Sequence, residues 1–204
     1  MTHLVWDMDG TLLDTTSVVP DAFVATVQEL GVADVDREKV VAAYSLGVPE
    51  VMLEHLVGRP LKNGEVDAYY DRLHASTVTA YAGVLETLAA LRARDLRTVI
   101  FTVASSRAAR MLLASASIEY DILIGGDHVA WPKPAPDGIL AAASRLGVDV
   151  ADIVYIGDAP TDLRTARSAG ARGAAATWGH LYRAEEPADA RLAAPMDALA
   201  LLET

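Results

Sequence analysis

Val5-Trp6-Asp7-Met8-Asp9-Gly10-Thr11-Leu12-Leu13-Asp14 is the stretch on which the fold of this chain turns. A short apolar run, Leu4 to Trp6, leads into it and is bounded by a glycine turn, the pattern of a buried strand. Asp7 then lies at the carboxyl end of that strand, the edge of an open parallel α/β sheet where ligands collect. Asp7 and Asp9 are one residue apart, and on extended backbone that spacing points both side chains the same way. Two carboxylates so placed repel each other unless a cation neutralises them or one holds a proton.

Outward from this stretch the pattern changes twice. From Thr15 to about Ala80 it reads as helix with no strand: Val18 to Leu30 with Phe23, Val27 and Leu30 on one face, then Glu38 to Tyr44, Pro49 to Val57 and Gly64 to Val78. Gly31 suits a stop, Pro49 a first helical position and Asn63 a cap. After Gly83, strands and helices alternate. Helices are expected over Val84 to Arg94, with Leu85, Leu88 and Leu91 as its stripe, and over Arg107 to Ser115, Pro136 to Leu146, Thr161 to Ala169 and Asp197 to Leu202. Strands are expected over Thr98 to Thr102, Ile122 to Ile124, Ile153 to Ile156 and Gly173 to Thr177. Such alternation argues for a parallel sheet with crossover helices.

Three further stretches carry chemistry. Thr102 closes its strand with a hydroxyl able to hold a phosphoryl oxygen, with Ser105 and Ser106 as substitutes should the register slip. In Trp131-Pro132-Lys133-Pro134-Ala135-Pro136-Asp137 the prolines forbid regular structure at Lys133, so its ammonium projects from a stiff loop. In Val154-Tyr155-Ile156-Gly157-Asp158-Ala159-Pro160-Thr161-Asp162 a strand and glycine turn present two acids four residues apart. Asp162 also suits a helix amino terminus, where the dipole favours an acid.

Asp-x-Asp-Gly-Thr-Leu-x-Asp-Thr, the strand-end Thr102, Lys-Pro-x-Pro and Gly-Asp-x-x-x-Asp resemble, in that order, the four signatures of the haloacid-dehalogenase-like phosphatase superfamily. The resemblance covers essentially the whole chain. It implies an α/β fold: a Rossmann-like parallel sheet core over residues 1–15 and 82–204 with an inserted all-helical cap over 16–81, hinged at Thr15 to Thr16 and Tyr81 to Gly83. It implies Asp7 as the nucleophile that forms an aspartyl-phosphate, Asp9 as general acid and base, and Thr102 and Lys133 as catalytic groups that also bind the phosphate, with Gly10 and Thr11 beside them. It implies Mg²⁺ held by the Asp7 carboxylate, the Asp9 backbone carbonyl and Asp158, with Asp162 in the outer shell or reaching the ion through water. A hard divalent ion of this kind takes few protein ligands and keeps several waters.

The same resemblance sorts the reactions. Dehalogenases and phosphonatases of the superfamily lack the second aspartate, so Asp9 argues for phosphate-monoester hydrolysis. A sugar phosphomutase similar to β-phosphoglucomutase is the nearest rival, but it carries an arginine before a cap glycine, where this chain has Tyr44-Ser45-Leu46-Gly47-Val48-Pro49. That loop and Thr177-Trp178-Gly179 look like phosphoglycolate-phosphatase-type members. A non-catalytic binding protein on the same fold is a further alternative, which four intact signatures oppose.

Composition narrows the partners. With 17 basic against 28 acidic residues the formal charge is -11, which excludes a broad basic face for nucleic acid. An anionic substrate is compatible with that charge if bound cations reverse the potential locally, so a small phosphorylated metabolite is the expected partner, which the resemblance makes phosphoglycolate-like or a sugar phosphate. Cysteine is absent, which rules out disulfides and thiol catalysis and fits a reducing cytoplasm. The chain enters its first strand at once, so no signal peptide is expected, and no apolar run reaches the ~20 residues of a membrane span. His3, His55, His74, His128 and His180 lack metal-ligand spacing and read as surface or helix decoration. Arg59 and Arg72 read as solvated helix faces in preference to contacts with a substrate carboxylate, Trp6 as core, and Trp131 equally as loop packing or as part of the pocket mouth. Specificity is expected from Tyr44 to Pro49.

Overall fold

The computed structural model describes residues 1–203; residue 204, the last of the expected core segment, lies outside the described residues. In chain order the elements are β1 (His3–Trp6), β2 (Leu13–Asp14), α1 (Val18–Glu29), α2 (Arg37–Ala42), α3 (Pro49–Val57), α4 (Asp67–Ala75), β3 (Thr79–Ala80), α5 (Val84–Arg92), β4 (Val99–Phe101) and α6 (Ser106–Ser115). They continue with β5 (Ile122–Ile124), α7 (Asp137–Leu146), β6 (Ile153–Gly157), α8 (Pro160–Ala169), β7 (Arg172–Ala176) and β8 (Ala190–Leu192). The large sheet has six strands in the order β5-β4-β1-β6-β7-β8, every neighbouring pair parallel. The fold is therefore α/β with a Rossmann-like parallel sheet. Because β4 and β5 lie on one side of β1 and β6 to β8 on the other, the chain reverses direction beside β1. That reversal opens the crevice in which ligands bind in doubly wound sheets.

Side-chain alternation builds the two faces. Leu4, Trp6, Ile100, Val154 and Ile156 enter one buried cluster, and Val5, Val99, Phe101, Ile153 and Tyr155 the other. The first cluster also takes in Phe23 and Val27 of α1 and Tyr69 and Leu73 of α4, so the helical segment shares its apolar packing with one face of the sheet. Phe23 and Tyr69 meet with ring centroids 4.3 Å apart.

Several expectations need correction. The stripe of α5 is Val84, Leu88 and Leu91, all buried, whereas Leu85 is 45% exposed; positions i, i+4 and i+7 share a helix face, and Leu85 turns away from it. Helix α4 starts at Asp67 rather than Gly64, and its amino-terminal cap position is Val66, not Asn63. The stretch Glu38 to Tyr44 splits into α2, whose first turn Asp36 caps by accepting from the Lys39 amide at 2.9 Å, and a 3₁₀ turn over Ala43–Leu46. The closing helix is likewise a 3₁₀ segment, Pro195–Glu203. Three strands escape the sequence reading. One is β8; the others are β2 and β3, which pair antiparallel through Leu13 with Ala80 and Asp14 with Thr79. β2 and β3, of two residues each, are too short for a period-2 pattern to show, and in β8 the charged Arg191 interrupts the apolar run by which the three-residue β5 is recognised.

Candidate active site

Three neighbouring strands deliver three of the expected residues. Asp7 follows the end of β1, Thr102 the end of β4 and Asp158 the end of β6, and β4, β1 and β6 are adjacent in the sheet. Lys133 reaches the same point from the proline-flanked loop and Asp162 from the first turn of α8. The Lys133 ammonium donates to Asp7 Oδ1 at 2.5 Å and to Asp162 Oδ1 at 2.6 Å, and all three side chains are buried. Burial opposes the charge of Lys133, but Asp162 and Asp7 more than offset that and hold its pKa above the ordinary value.

The two aspartates of the first motif part company. Asp9 accepts from the Thr15 hydroxyl at 2.7 Å through Oδ1 and from the Thr102 hydroxyl at 3.3 Å through Oδ2. Thr102 in turn accepts from the Ala104 amide at 3.1 Å. Burial raises the Asp9 pKa, with the Thr15 and Thr102 bonds and Lys133 pulling the other way. Asp7 is pushed well up by burial and by the Asp162 carboxylate, against the pull of Lys133. Asp158 is pushed up to about 7, by burial first and by Asp162 second.

Burial is the largest cause of the three raised carboxyl values, and for Asp7 and Asp158 the Asp162 carboxylate adds to it. Carboxylate oxygens of Asp7, Asp158 and Asp162 lie within 4.8 Å of one another. An all-oxygen, anionic, buried donor set with excess negative charge fits a hard divalent cation. The local backbone is cut to keep that space open. Gly10 has φ +79°, and a Cβ there would stand 2.5 Å from the Asp158 carboxylate. Asp162 serves three groups, its Oδ2 accepting from the Ala159 amide at 2.9 Å as the cap of α8 while Oδ1 takes Lys133 and, at 3.4 Å, the Tyr155 hydroxyl. The helix-cap reading of Asp162 and a place within that carboxylate set are thus compatible.

Thr11 donates to Asp158 Oδ1 at 3.4 Å, and its carbonyl accepts from the Trp178 indole at 2.9 Å. That second bond pins the loop after β7 across the site. The Leu181 amide donates to Asp158 Oδ2 at 2.9 Å, and His180 Nδ1 stands 4.0 Å from the same oxygen. His180 is thus part of the site rather than decoration, and burial lowers its pKa. The sequence reading took Thr177-Trp178-Gly179 as a family likeness and His180 as decoration, and did not bring this loop against Asp158, although its place just beyond a strand's carboxyl end was the available signal. The substitutes Ser105 and Ser106 have other work: Ser105 caps α6 and bonds Tyr70 at 2.9 Å, and Ser106 bonds Asp127 at 2.5 Å. Trp6 is core and Trp131 is 69% exposed. Arg59 pairs with Glu65 and Arg72 with Glu29, and neither lines the cavity.

Above the carboxylates lies a cavity of about 530 Å³. Asp7, Asp9, Lys133 and Asp162 form its floor, and its roof comes from α1 to α3 and the loop expected to set specificity, through Tyr44, Ser45, Gly47 and Pro49. Val19, Phe23, Val41, Met52 and Tyr69 also line the roof, a contribution the sequence reading did not foresee.

Comparison with known proteins bears on the family and the fold. Residues 4–176 match the family model for haloacid dehalogenase-like hydrolases. The chain is 32% identical to an N-acetylmuramic acid 6-phosphate phosphatase of Pseudomonas aeruginosa, covering 91% of this chain and 85% of that protein. It is 30% identical to a phosphoglycolate phosphatase of Nitrosospira multiformis, covering 85% and 82%. Among solved structures, CbbY from Rhodobacter sphaeroides in complex with phosphate superposes with a TM-score of 0.85 over 100% of both chains at 24% identity, a likeness of fold. The motif order, the parallel sheet and the family match over most of the chain lead to one assignment: this protein belongs to the haloacid dehalogenase-like hydrolases, as an enzyme of their phosphatase kind.

Proposed function

We propose that the protein is a Mg²⁺-dependent phosphatase that hydrolyses a small phosphate monoester through a phosphoaspartyl intermediate on Asp7. The observation that carries this reading is the Lys133 ammonium bridging Asp7 and Asp162 at the floor of the cavity, with Asp9 held apart by Thr15 and Thr102. Uncatalysed hydrolysis of such esters is among the slowest of reactions, so the site must supply on the order of 20 kcal/mol or more. An anionic nucleophile cannot approach an anionic phosphate without charge cancellation. Lys133 supplies part of it, and Asp7, Asp158 and the Asp9 carbonyl, with Asp162 behind them, would hold the metal ion. When bound, that ion adds positive charge where negative charge accumulates.

Asp7 attacks phosphorus while the bond to the leaving oxygen breaks, and Asp9 protonates that oxygen as it departs. Water then attacks the same phosphorus, Asp9 takes its proton, and the bond to Asp7 breaks to release inorganic phosphate. Thr102 and the backbone at Gly10 and Thr11 orient the phosphoryl oxygens. Residues 16–81 act as the cap, mounted on the β2–β3 ribbon that adjoins both expected hinges. The absence of cysteine supports a cytoplasmic location. Among the described residues no helix is long and apolar enough to cross a membrane.

Against the mutase alternative, the roof of the cavity offers no lysine or arginine from residues 16–81 among the described residues, leaving a second phosphate without a counter-charge there. The binding-protein alternative gives way to the enzymatic character of the family. The test is release of phosphate from p-nitrophenyl phosphate with Mg²⁺ or with chelator. Asp7→Asn is expected to lower turnover by ~10⁴-fold or more, with an unchanged circular dichroism spectrum. Substantial magnesium-dependent activity in that variant overturns the nucleophile assignment.

A further inference from the structure

The roof of the cavity says something about the alcohol that leaves. Val19 and Phe23 of α1, Val41 of α2, Met52 of α3 and Leu112 of α6 present apolar surface to the space above Asp7. The polar side chains from the cap that line it are uncharged: Thr16, Tyr44, Ser45 and Tyr69. The cations on the lining belong to the core. Lys133 is committed to Asp7 and Asp162, and Arg183, an exposed residue after β7, donates to the carbonyl of Tyr182 at 2.8 Å.

We infer that the leaving group is a bulky, largely apolar, uncharged alcohol, so that the enzyme prefers aryl or long alkyl phosphate monoesters to phosphoglycolate or to simple sugar phosphates. The inference rests on the phosphatase reading above and adds the substrate class to it. Two costs decide it. A carboxylate on the leaving group, as in phosphoglycolate, would be desolvated against Val41 and Met52 with no cation from the cap to pair it, and an ion pair with the exposed Arg183 guanidinium offsets little of that cost. A sugar would bring several hydroxyls to a roof where four side-chain hydroxyls stand among mostly apolar groups, and each buried hydroxyl left unpaired lowers affinity. An aromatic or alkyl body instead gains by covering the same surface. Size agrees: at about 530 Å³ the space lies in the range that encloses drug-sized ligands, of which a two-carbon acid fills a small part.

The test compares kcat/KM for naphthyl phosphate, glucose 6-phosphate and phosphoglycolate on the magnesium-loaded enzyme, with binding of each to Asp7→Asn read by titration calorimetry. Naphthyl phosphate is expected to exceed phosphoglycolate by roughly tenfold or more in both measurements. Val41→Lys places an ammonium on a side chain that is already 41% exposed, and is expected to lower that ratio about tenfold. A phosphoglycolate or glucose 6-phosphate value equal to or above that of naphthyl phosphate overturns the inference and leaves the phosphatase reading intact. Tighter binding of naphthyl phosphate with no turnover of any ester supports the inference while overturning the reaction.

Discussion

Lys133, Asp7 and Asp162 on the floor of the cavity and Val19, Val41 and Met52 on its roof face the same space, yet different physics holds them. On the floor, position is set by strong directional bonds: an ammonium between two carboxylates, a cap bond from Ala159, an amide from Leu181. On the roof it is set by packing, with Phe23 and Tyr69 in contact and the cluster continuing to Leu112 of α6. Directional groups tolerate little substitution, because a partner left behind is a buried unpaired charge. Apolar walls tolerate changes of shape at modest cost. The difference teaches that the reaction is written into a few side chains and the choice of substrate into a surface.

The hardest blow to the floor short of the nucleophile is Lys133→Met. It is expected to lower kcat/KM by roughly 10²- to 10³-fold, the scale of losing one preorganised charge-stabilising donor. In metal-free buffer it also exposes Asp7 and Asp162 to each other, and urea unfolding should show a loss of ~3 kcal/mol.

Next in size is the cation. Mg²⁺ at a hundredfold excess over its dissociation constant should stabilise the fold by ~2.7 kcal/mol, seen as a rise in Tm that Asp158→Asn removes. The pH dependence follows from the same group. Asp158 titrates near 7 in the folded protein against an ordinary 3.8, so between those values the folded state binds the additional proton. Its contribution to metal-free stability therefore falls as pH rises from about 4 to 7. Asp7 and Asp9 act in the same direction. The difference in urea midpoint between wild type and Asp158→Asn should shift across that window in chelator and flatten in Mg²⁺.

Gly179→Ala comes third. A Cβ there would collide with Asp158 Cβ and with the Gly10 carbonyl, backbone that cannot swing aside. The expected cost is about 2 kcal/mol in urea unfolding, together with weaker Mg²⁺ stabilisation.

The smallest effect probes the join between roof and floor. The Tyr70 hydroxyl bonds Glu50 at 2.8 Å and the α6 cap residue Ser105 at 2.9 Å, so Tyr70→Phe breaks a link from α3 and α4 to the core. A loss of ~1 kcal/mol is expected. KM should change more than kcat, because the chemistry at Asp7 is untouched.

Most of the floor was legible in the chain because its residues sit in short local patterns: Asp7 and Asp9 after an apolar run, Lys133 between prolines, Asp158 after Gly157. Local pattern also reveals the helices around Phe23 and Tyr69, since spacing of four residues shows the buried face. It could not reveal that Asp162 bonds Lys133 across 29 residues, that Trp178 reaches the Thr11 carbonyl across 167, or that His180 comes beside Asp158. Nor could it separate Leu85 from Val84, where one residue of phase decides between solvent and core. Taken alone, the amino-acid order determined the α/β alternation and which acids and which lysine would be available for chemistry, because strand-end motifs and turn residues act over a few neighbouring positions. Which of those groups pair, how Gly10 and Gly179 make room for Asp158, and which apolar side chains roof the cavity were decided by tertiary structure. Those outcomes depend on distances between residues far apart in the chain, and only the closed packing of the sheet and helices sets them.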